Sequence, residues 1–522
     1  MSESRNIPIY RPANYYSEDA FFQKVLRRHL APAELAWSER YCQEMGRLAA
    51  AELTPLVPIT DLRRPEHVPY DAAGQRVDRI DYDRSYLEIA RKAYSFGIIG
   101  LGHSPDFVRE NRSYTPLLKF GLGYLFSQAG SVLYCPICMT DGTLQLLKKH
   151  ASPEMKAKWI PRLTELDWEK FYDGAMYLTE VQGGSDVGAN TCIAKQEKGE
   201  WRLYGEKWFC SNIGSKTAMV LARPEGAPEG TKGLGLFLLP RDLESGERNK
   251  ILVNRVKNKL GTCEMATAEI ELQGALAYPV GELSRGFAYM TGMLNLSRIY
   301  NAIWSVGLMR RAFLEAKHYA AGRRAFGKPI VQYPLVAATL EAMERDTEKA
   351  VALTFDVLQH FDKVERGQGG AEDEAMLRLM TPVIKFFTAE KAIEAAHRGI
   401  EILGGNGCVE DFPLAKILRD SQILAIWEGT ANILSLDLLR VLRKGGTGEI
   451  FLKRSAARLE KLPAGALRED LGHRLAALET DFQALLRGQD GHGGELACRE
   501  VAWRVALLAQ DLAHQEITSL SK

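Results

Sequence analysis

The sequence carries no excess of charge: 67 Lys and Arg stand against 66 Asp and Glu, a formal net charge of +1. That balance gives no overall field to hold nucleic acid or an acidic membrane. No stretch approaches eighteen consecutive apolar residues, so a spanning helix is not expected. The opening residues, MSESRNIPIYRPANYYSEDAFF, hold no apolar run ahead of a small-residue cleavage site, and no secretory signal is read there. Cysteine is sparse, 8 in 522 residues, which fits a reducing, cytoplasmic setting. Cys135 and Cys138 have C-x-x-C spacing but no second pair or His cluster to complete a metal site. They are expected in a packed core, and no metal is expected. Neither G-x-G-x-x-G nor G-x-x-x-x-G-K-[ST] occurs. A nucleotide cofactor must therefore be held by something other than a Rossmann turn or a P-loop.

What is present is ordinary globular protein, 46% apolar and 25% charged. At about 150 residues per domain, the length suggests three or four domains. Residues 18 to about 170 carry apolar residues at helical spacing. From Asp173 to about Gly281 the pattern changes to short β-branched or aromatic runs, WRLYGEKWFCSN, TAMVLARP, GLGLFLLPR and ATAEIELQGA, which predict a compact antiparallel β-domain. Long helical periodicity returns from Gly286, and one such helix stops at Gly404-Gly405. Past Lys444-Gly445-Gly446, the spacing of Leu467, Leu471, Leu475, Leu478, Phe482 and Leu485 predicts an amphipathic helix. Val501, Val505, Leu508 and Leu512 suggest another. The expected fold is thus mainly α with a central β-domain. Its parts are a helical domain over 1–171, a β-domain over 172–281, a helical bundle over 282–445 and a helical extension over 446–522.

Four segments combine glycine, hydroxyl and charge beyond what packing requires. In Thr179-Glu180-Val181-Gln182-Gly183-Gly184-Ser185-Asp186, two glycines before a serine can turn backbone N–H groups outward around an anion. In Lys207-Trp208-Phe209-Cys210-Ser211-Asn212, aromatics and a hydroxyl could wall a planar cofactor, although for this segment alone a plain strand explains them better. Arg323-Arg324-Ala325-Phe326-Gly327-Lys328-Pro329 offers cations to a phosphate and a ring to a base, or simply a solvated helix end. Trp427-Glu428-Gly429-Thr430-Ala431-Asn432 sets a carboxylate beside a large aromatic, where an apolar neighbour raises its pKa toward that of a general base, although a lone Glu before a helix is more often a charge partner of the helix N-terminus.

Taken in order, T-E-x-x-G-G-S-D, K-W-F-x-S-N, R-x-x-F-G-x-P-I, I-L-G-G-x-G and W-E-G-T-x-N resemble the flavin-dependent acyl-CoA dehydrogenases over about residues 20 to 445. Tyr70-Asp71-Ala72-Ala73-Gly74-Gln75-Arg76, Cys135-Pro136-Ile137-Cys138-Met139-Thr140 and the C-terminal extension are similar to the AidB branch of that family. The resemblance implies an N-terminal helical domain, a β-barrel-like middle domain and a C-terminal four-helix bundle. It also implies FAD shared between subunits of a homo-oligomer, most often a tetramer.

Residue by residue, the resemblance implies that Met176, Tyr177, Leu178, Thr179, Gly184 and Ser185 line the flavin, with the Thr179 hydroxyl toward N5 and Ser185 on phosphate. Phe209, Cys210 and Ser211 would back the ring. Arg323, Phe326, Glu401, Gly404 and Gly405 would reach a partner subunit's FAD, and Thr430 and Asn432 would close over the flavin. Ser185, Asn295, Arg298, Trp427 and Gly429 would face substrate. Ser297 occupies the alternative position for the family's base and is not a carboxylate, which leaves Glu428. The implied reaction is α,β-dehydrogenation of an acyl-CoA: Glu428 removes the α-proton, the β-hydride passes to flavin N5, and an acceptor such as an electron-transfer flavoprotein takes the electrons. Trp427, where narrower residues are common, could restrict the acyl slot and leave an acyl-CoA-binding regulator with little turnover. DNA binding, the other function associated with the AidB branch, fits less well. From Gly445 to Lys522 there are ten Lys or Arg and eleven Asp or Glu, with no cationic surplus for phosphates.

Overall fold

A computed structural model describes residues 7–487 and 493–519. Its chain divides into two compact units. One comprises Met1–Thr54, Thr115–Ser131 and Arg298–Lys522; the other comprises Pro55–Tyr114 and Val132–Ser297. In chain order the helices before the β-domain are α1 (Ala20–His29), α2 (Pro32–Arg47), α3 (Val57–Leu62), α4 (Arg84–Phe96), α5 (Pro105–Arg109), α6 (Pro116–Ser127), α7 (Tyr134–His150) and α8 (Pro153–Leu163). Several start on side-chain caps: Asp19, Asp83, Ser104, Thr115 and Ser152 each accept a backbone N–H of the first turn.

The expectation of an all-helical start is corrected by a hairpin, β1 (Glu66–Tyr70) against β2 (Arg76–Asp81). Its strands are too short and polar to show apolar alternation. Its signal was the turn, where Asp71 Oδ1 accepts from the N–H groups of Ala73 at 2.9 Å and Gln75 at 2.8 Å and Gly74 adopts φ +75°.

The middle sheet consists of β3 (Gly174–Tyr177), β4 (Ile193–Glu197), β5 (Glu200–Ser211), β6 (Thr217–Pro224), β7 (Gly235–Pro240), β8 (Ile251–Val256) and β9 (Thr267–Pro279). Strand order is β3-β6-β4-β5-β9-β7, and β6 also pairs with β7. That extra pairing closes β6, β4, β5, β9 and β7 on themselves as a barrel, with β3 added against β6 and β8 against β9. The domain is not wholly antiparallel as expected: β6 runs parallel to β3 and to β4. Periodicity reports which face is buried and not strand direction, so this was not readable.

Then follow α9 (Gly286–Gly322), the short hairpin of β10 (Arg324–Ala325) and β11 (Lys328–Pro329), α10 (Pro334–Glu365), α11 (Ala371–Leu403), α12 (Pro413–Leu424), α13 (Ala431–Arg443), α14 (Thr447–Glu460), α15 (Ala466–Arg487) and α16 (Gly493–Thr518). Val383 of α11, Leu438 of α13, Phe451 of α14, Leu478 and Phe482 of α15, and Val505 and Leu512 of α16 belong to one apolar cluster. The C-terminal extension is therefore packed into the bundle's own core. Each large apolar side chain buried there contributes about 1.5–3 kcal/mol. Among the described residues no helix is long and apolar enough to cross a membrane.

Candidate active site

Two constellations emerge, one in each unit. In the barrel unit, β3 runs into the turn Leu178–Ser185. The Thr179 carbonyl accepts from the Trp208 N–H of β5 at 2.9 Å, which ties the turn to the aromatic strand. Below it Glu180, 3% exposed, is fully satisfied. Its Oε1 accepts from Lys207 Nζ at 2.7 Å and Cys192 N–H at 3.2 Å. Its Oε2 accepts from the N–H and hydroxyl of Thr191 at 2.6 and 2.9 Å. Burial pushes the Glu180 carboxyl up, but the Lys207 charge and these hydrogen bonds outweigh it and hold the group below its ordinary value. Gly183 has φ +118°, and a Cβ on Gly184 would lie 2.7 Å from the Thr179 hydroxyl oxygen. Glycine there keeps that hydroxyl open.

Along β5, Phe209 is 52% exposed. Lys257 Nζ lies 3.7 Å from the Trp208 ring centroid and 4.6 Å from that of Phe209. The hydroxyls of Ser211 and Thr267 are 3.1 Å apart. Met176, Leu178, Thr179 and Ser211 are partly exposed, and Gly184 and Ser185 are exposed. Tyr177 and Cys210 turn inward, and burial pushes both their phenol and thiol up. Their side chains pack into the core, which leaves their backbone to line the strand. Asn295 is partly buried, and buried Ser297 accepts from Cys138 Sγ at 3.3 Å.

In the bundle unit, Glu428 follows α12 with φ +59°, and Gly429 follows it at φ +107°. A non-glycine residue in this region is strained by roughly 1–3 kcal/mol and persists only where its surroundings impose it. Here two cations do so. Arg298 Nε of α9 donates to the Glu428 carbonyl at 3.2 Å, and Lys385 Nζ of α11 donates to the Gly429 carbonyl at 2.7 Å. Arg298 is itself held by Asp437 at 2.8 Å, which also accepts from Arg378 at 2.5 Å.

The Glu428 carboxyl is left differently. Its Oε2 is buried, and among the described residues no hydrogen-bond partner reaches it. The Glu428 backbone N–H likewise has no partner among the described residues. Burial raises the carboxyl from 4.5 to about 7, against the opposing pull of Arg298 and Lys385. Burial lowers the Lys385 ammonium to about 7, against the opposing pull of Glu428.

Partly buried Trp427 lies with its ring 5.7 Å from that of Trp304. Thr430 precedes α13 without capping it by its side chain. Thr430 is exposed and Asn432 is exposed as well. Arg323 is exposed, and Phe326, 96% exposed at φ +47°, forms the tip of the β10–β11 hairpin. Glu401, Gly404 and Gly405 are exposed at the end of α11. The structure thus joins Arg298 to Glu428 by a hydrogen bond and sets Lys385 on Gly429, whereas Arg323, Phe326 and Glu401 stand at the surface.

Sequence reasoning passed over Lys385, Asp437, Lys207 and Lys257. Two had a signal: Lys385 is a lone cation in TPVIKFFTA, and Asp437 a lone acid in ILSLDLLRVL. A charge isolated on an apolar helix face needs a buried partner.

Comparison with known proteins decides the lineage. The adaptive response protein AidB N-terminal domain matches residues 6–170, the acyl-CoA dehydrogenase middle domain residues 175–275, and the acyl-CoA dehydrogenase C-terminal domain residues 284–442. AidB of Escherichia coli strain K12 is 30% identical over 506 residues, covering 92% of this chain and 90% of its own. The chain belongs to the acyl-CoA dehydrogenase family. Acyl-CoA dehydrogenase family member 11 of Caenorhabditis elegans is 36% identical over 469 residues, covering 88% of this chain and 75% of that protein. The crystal structure of the Caenorhabditis elegans protein ACDH-11 in complex with C11-CoA matches with a TM-score of 0.88 at 32% identity, over 100% of this chain and 91% of that one.

As an acyl-CoA dehydrogenase family enzyme of the AidB type, the protein has the family's helical ends and central barrel. Members of the family bind FAD. The residues present fit such a group: an exposed aromatic on β5, a hydroxyl at Thr179 kept open by Gly184, and an exposed serine at the end of a glycine turn.

Proposed function

We propose that the protein removes the α-proton and β-hydride of an acyl-CoA thioester, with Glu428 as the base. One observation carries this reading: a buried carboxyl oxygen without a partner, on a strained turn imposed by two cations. A carboxyl titrating near 7 is matched to proton abstraction at neutral pH. As the α C–H bond breaks, Glu428 Oε2 takes the proton. The Glu428 N–H is free to bond the thioester carbonyl and stabilise the enolate oxygen. FAD, when bound, supplies the acceptor for the β-hydride. In the barrel unit Thr179, Ser185, Phe209 and Ser211 would hold it, and Arg323, Phe326 and Glu401 would reach the FAD of a neighbouring copy. The exposed ring of Phe326 supports such a homo-oligomer.

The test is anaerobic titration of the yellow holoenzyme with acyl-CoAs of graded length. Bleaching with at least one chain length is expected; no bleaching with any overturns the reading. The Trp427–Trp304 packing favours one second reading, an acyl-CoA-binding protein with slow turnover, for which tight binding without bleaching is the signature. DNA binding gains no support from the extension. There Arg454, Arg458, Arg474 and Arg504 are engaged by Asp373, Asp356, Asp511 and Asp481.

A further inference from the structure

Lys385 has no assigned part in the chemistry just described, yet its placement is unusual. Its side chain is 0% exposed in the middle of α11, between Ile384 and Phe386. An ammonium in such surroundings costs several kcal/mol unless it meets a compensating group. Its hydrogen bond goes to a neutral carbonyl, that of Gly429, one residue beyond the base. The charged groups acting on it are Glu428 from the turn after α12, Arg298 from α9 and Glu390 from its own helix. Arg298 pairs with Asp437 of α13, which Arg378 and Arg440 share, and Glu390 faces Arg499 of α16 at 3.8 Å. Glu428 is the acid that most supports the Lys385 charge, against the opposing charge of Arg298.

We propose that Lys385 is the positioning residue of this site: its buried ammonium clamps the Gly429 carbonyl, imposes the left-handed turn that presents Glu428, and keeps that carboxyl able to shed its proton. The proposal rests on Glu428 serving as the base. Arg298 and Lys385 grip successive carbonyls, so the Glu428–Gly429 peptide, held by Arg298, and the Gly429–Thr430 peptide, held by Lys385, cannot flip without breaking a charge-assisted hydrogen bond. Both charges oppose the tendency of burial to neutralise Glu428, Arg298 more strongly than Lys385.

The experiment uses the FAD-loaded full chain and three variants, Lys385→Met, Lys385→Gln and Lys385→Arg. The Glu428 carboxyl is titrated by infrared difference against Glu428→Gln, without substrate. The rate of flavin bleaching is then followed against pH with the straight-chain acyl-CoA that bleaches the wild type fastest. In Lys385→Met, with FAD content unchanged, the infrared midpoint and the acidic limb of the rate both move up by about one pH unit. Bleaching below the limb slows about tenfold. Lys385→Gln shows the same midpoint shift but a smaller loss on the plateau, because an amide still donates to Gly429. Lys385→Arg, which keeps charge and donor, stays within a few tenths of a unit of the wild type. Wild-type midpoints in both Met and Gln variants overturn the proposal. Where neither neutral variant accumulates, Lys385→Arg decides, and a full-unit shift there overturns it. A shifted infrared midpoint in a protein that no acyl-CoA bleaches would sink the dehydrogenase reading and leave the tuning by Lys385 standing.

Discussion

The two units each bury a glutamate beside a lysine, and they use the pair in opposite ways. In the barrel unit, Lys207 reaches the Glu180 carboxylate directly at 2.7 Å, and Thr191 and Cys192 satisfy what remains. In the bundle unit, Lys385 turns to a backbone carbonyl and the nearby carboxyl keeps a buried oxygen without a partner. The first carboxyl is held below its ordinary value and the second is raised to about 7. The same two residue types thus give a structural clamp where the hydrogen bonds are complete, and a carboxyl of raised proton affinity where one is withheld.

That contrast can be broken in order of size. Glu428→Gln is expected to slow flavin bleaching by an acyl-CoA about a thousandfold or more, the upper range for loss of a general base, with FAD retained. Single-turnover anaerobic spectroscopy measures it. Glu180→Gln leaves Lys207 buried without its counter-charge and is expected to destabilise the holoprotein by about 3–5 kcal/mol at pH 7 in denaturant titration. Because the folded-state pKa of Glu180 is depressed, its contribution is present above the unfolded value and is lost as pH falls through the folded one. The deficit of the variant should therefore shrink in acid.

Glu428 has the reverse sign. Its folded pKa is raised, so its contribution to stability is full below the unfolded value of 4.5 and is lost as pH rises through about 7. Glu428→Gln should accordingly be more stable than the wild type at pH 8, by about 1–3 kcal/mol, and equal to it near pH 4.5. Finding both glutamine variants destabilised alike at pH 8 would erase the distinction between the sites. The smallest effect is expected at Trp427→Phe. A narrower ring against Trp304 should move the preferred acyl length by a few-fold to about tenfold in kcat/KM.

The sequence carried the alternation of helical and β regions, the helix stop at Gly404 and the carboxylate beside Trp427, because each is a local pattern of period, turn residue or neighbour. It marked only the turn of the β1–β2 hairpin, whose strands are short and polar, and was silent on the parallel pairings of β6, because side-chain alternation is the same in either direction. It also marked off the segment after Gly445 as an extension, whereas Phe451, Phe482 and Val505 share the bundle's core. Local order along the chain was thus enough for the family's outline and for singling out Glu428 as the candidate acid. Which lysine completes its ion pair and which leaves a carboxyl waiting was decided by tertiary structure alone, since Glu180 and Lys207, like Lys385 and Glu428, meet only when distant helices and strands pack. Burial and hydrogen-bond satisfaction, which set the proton affinity of each acid, exist only in that packed state.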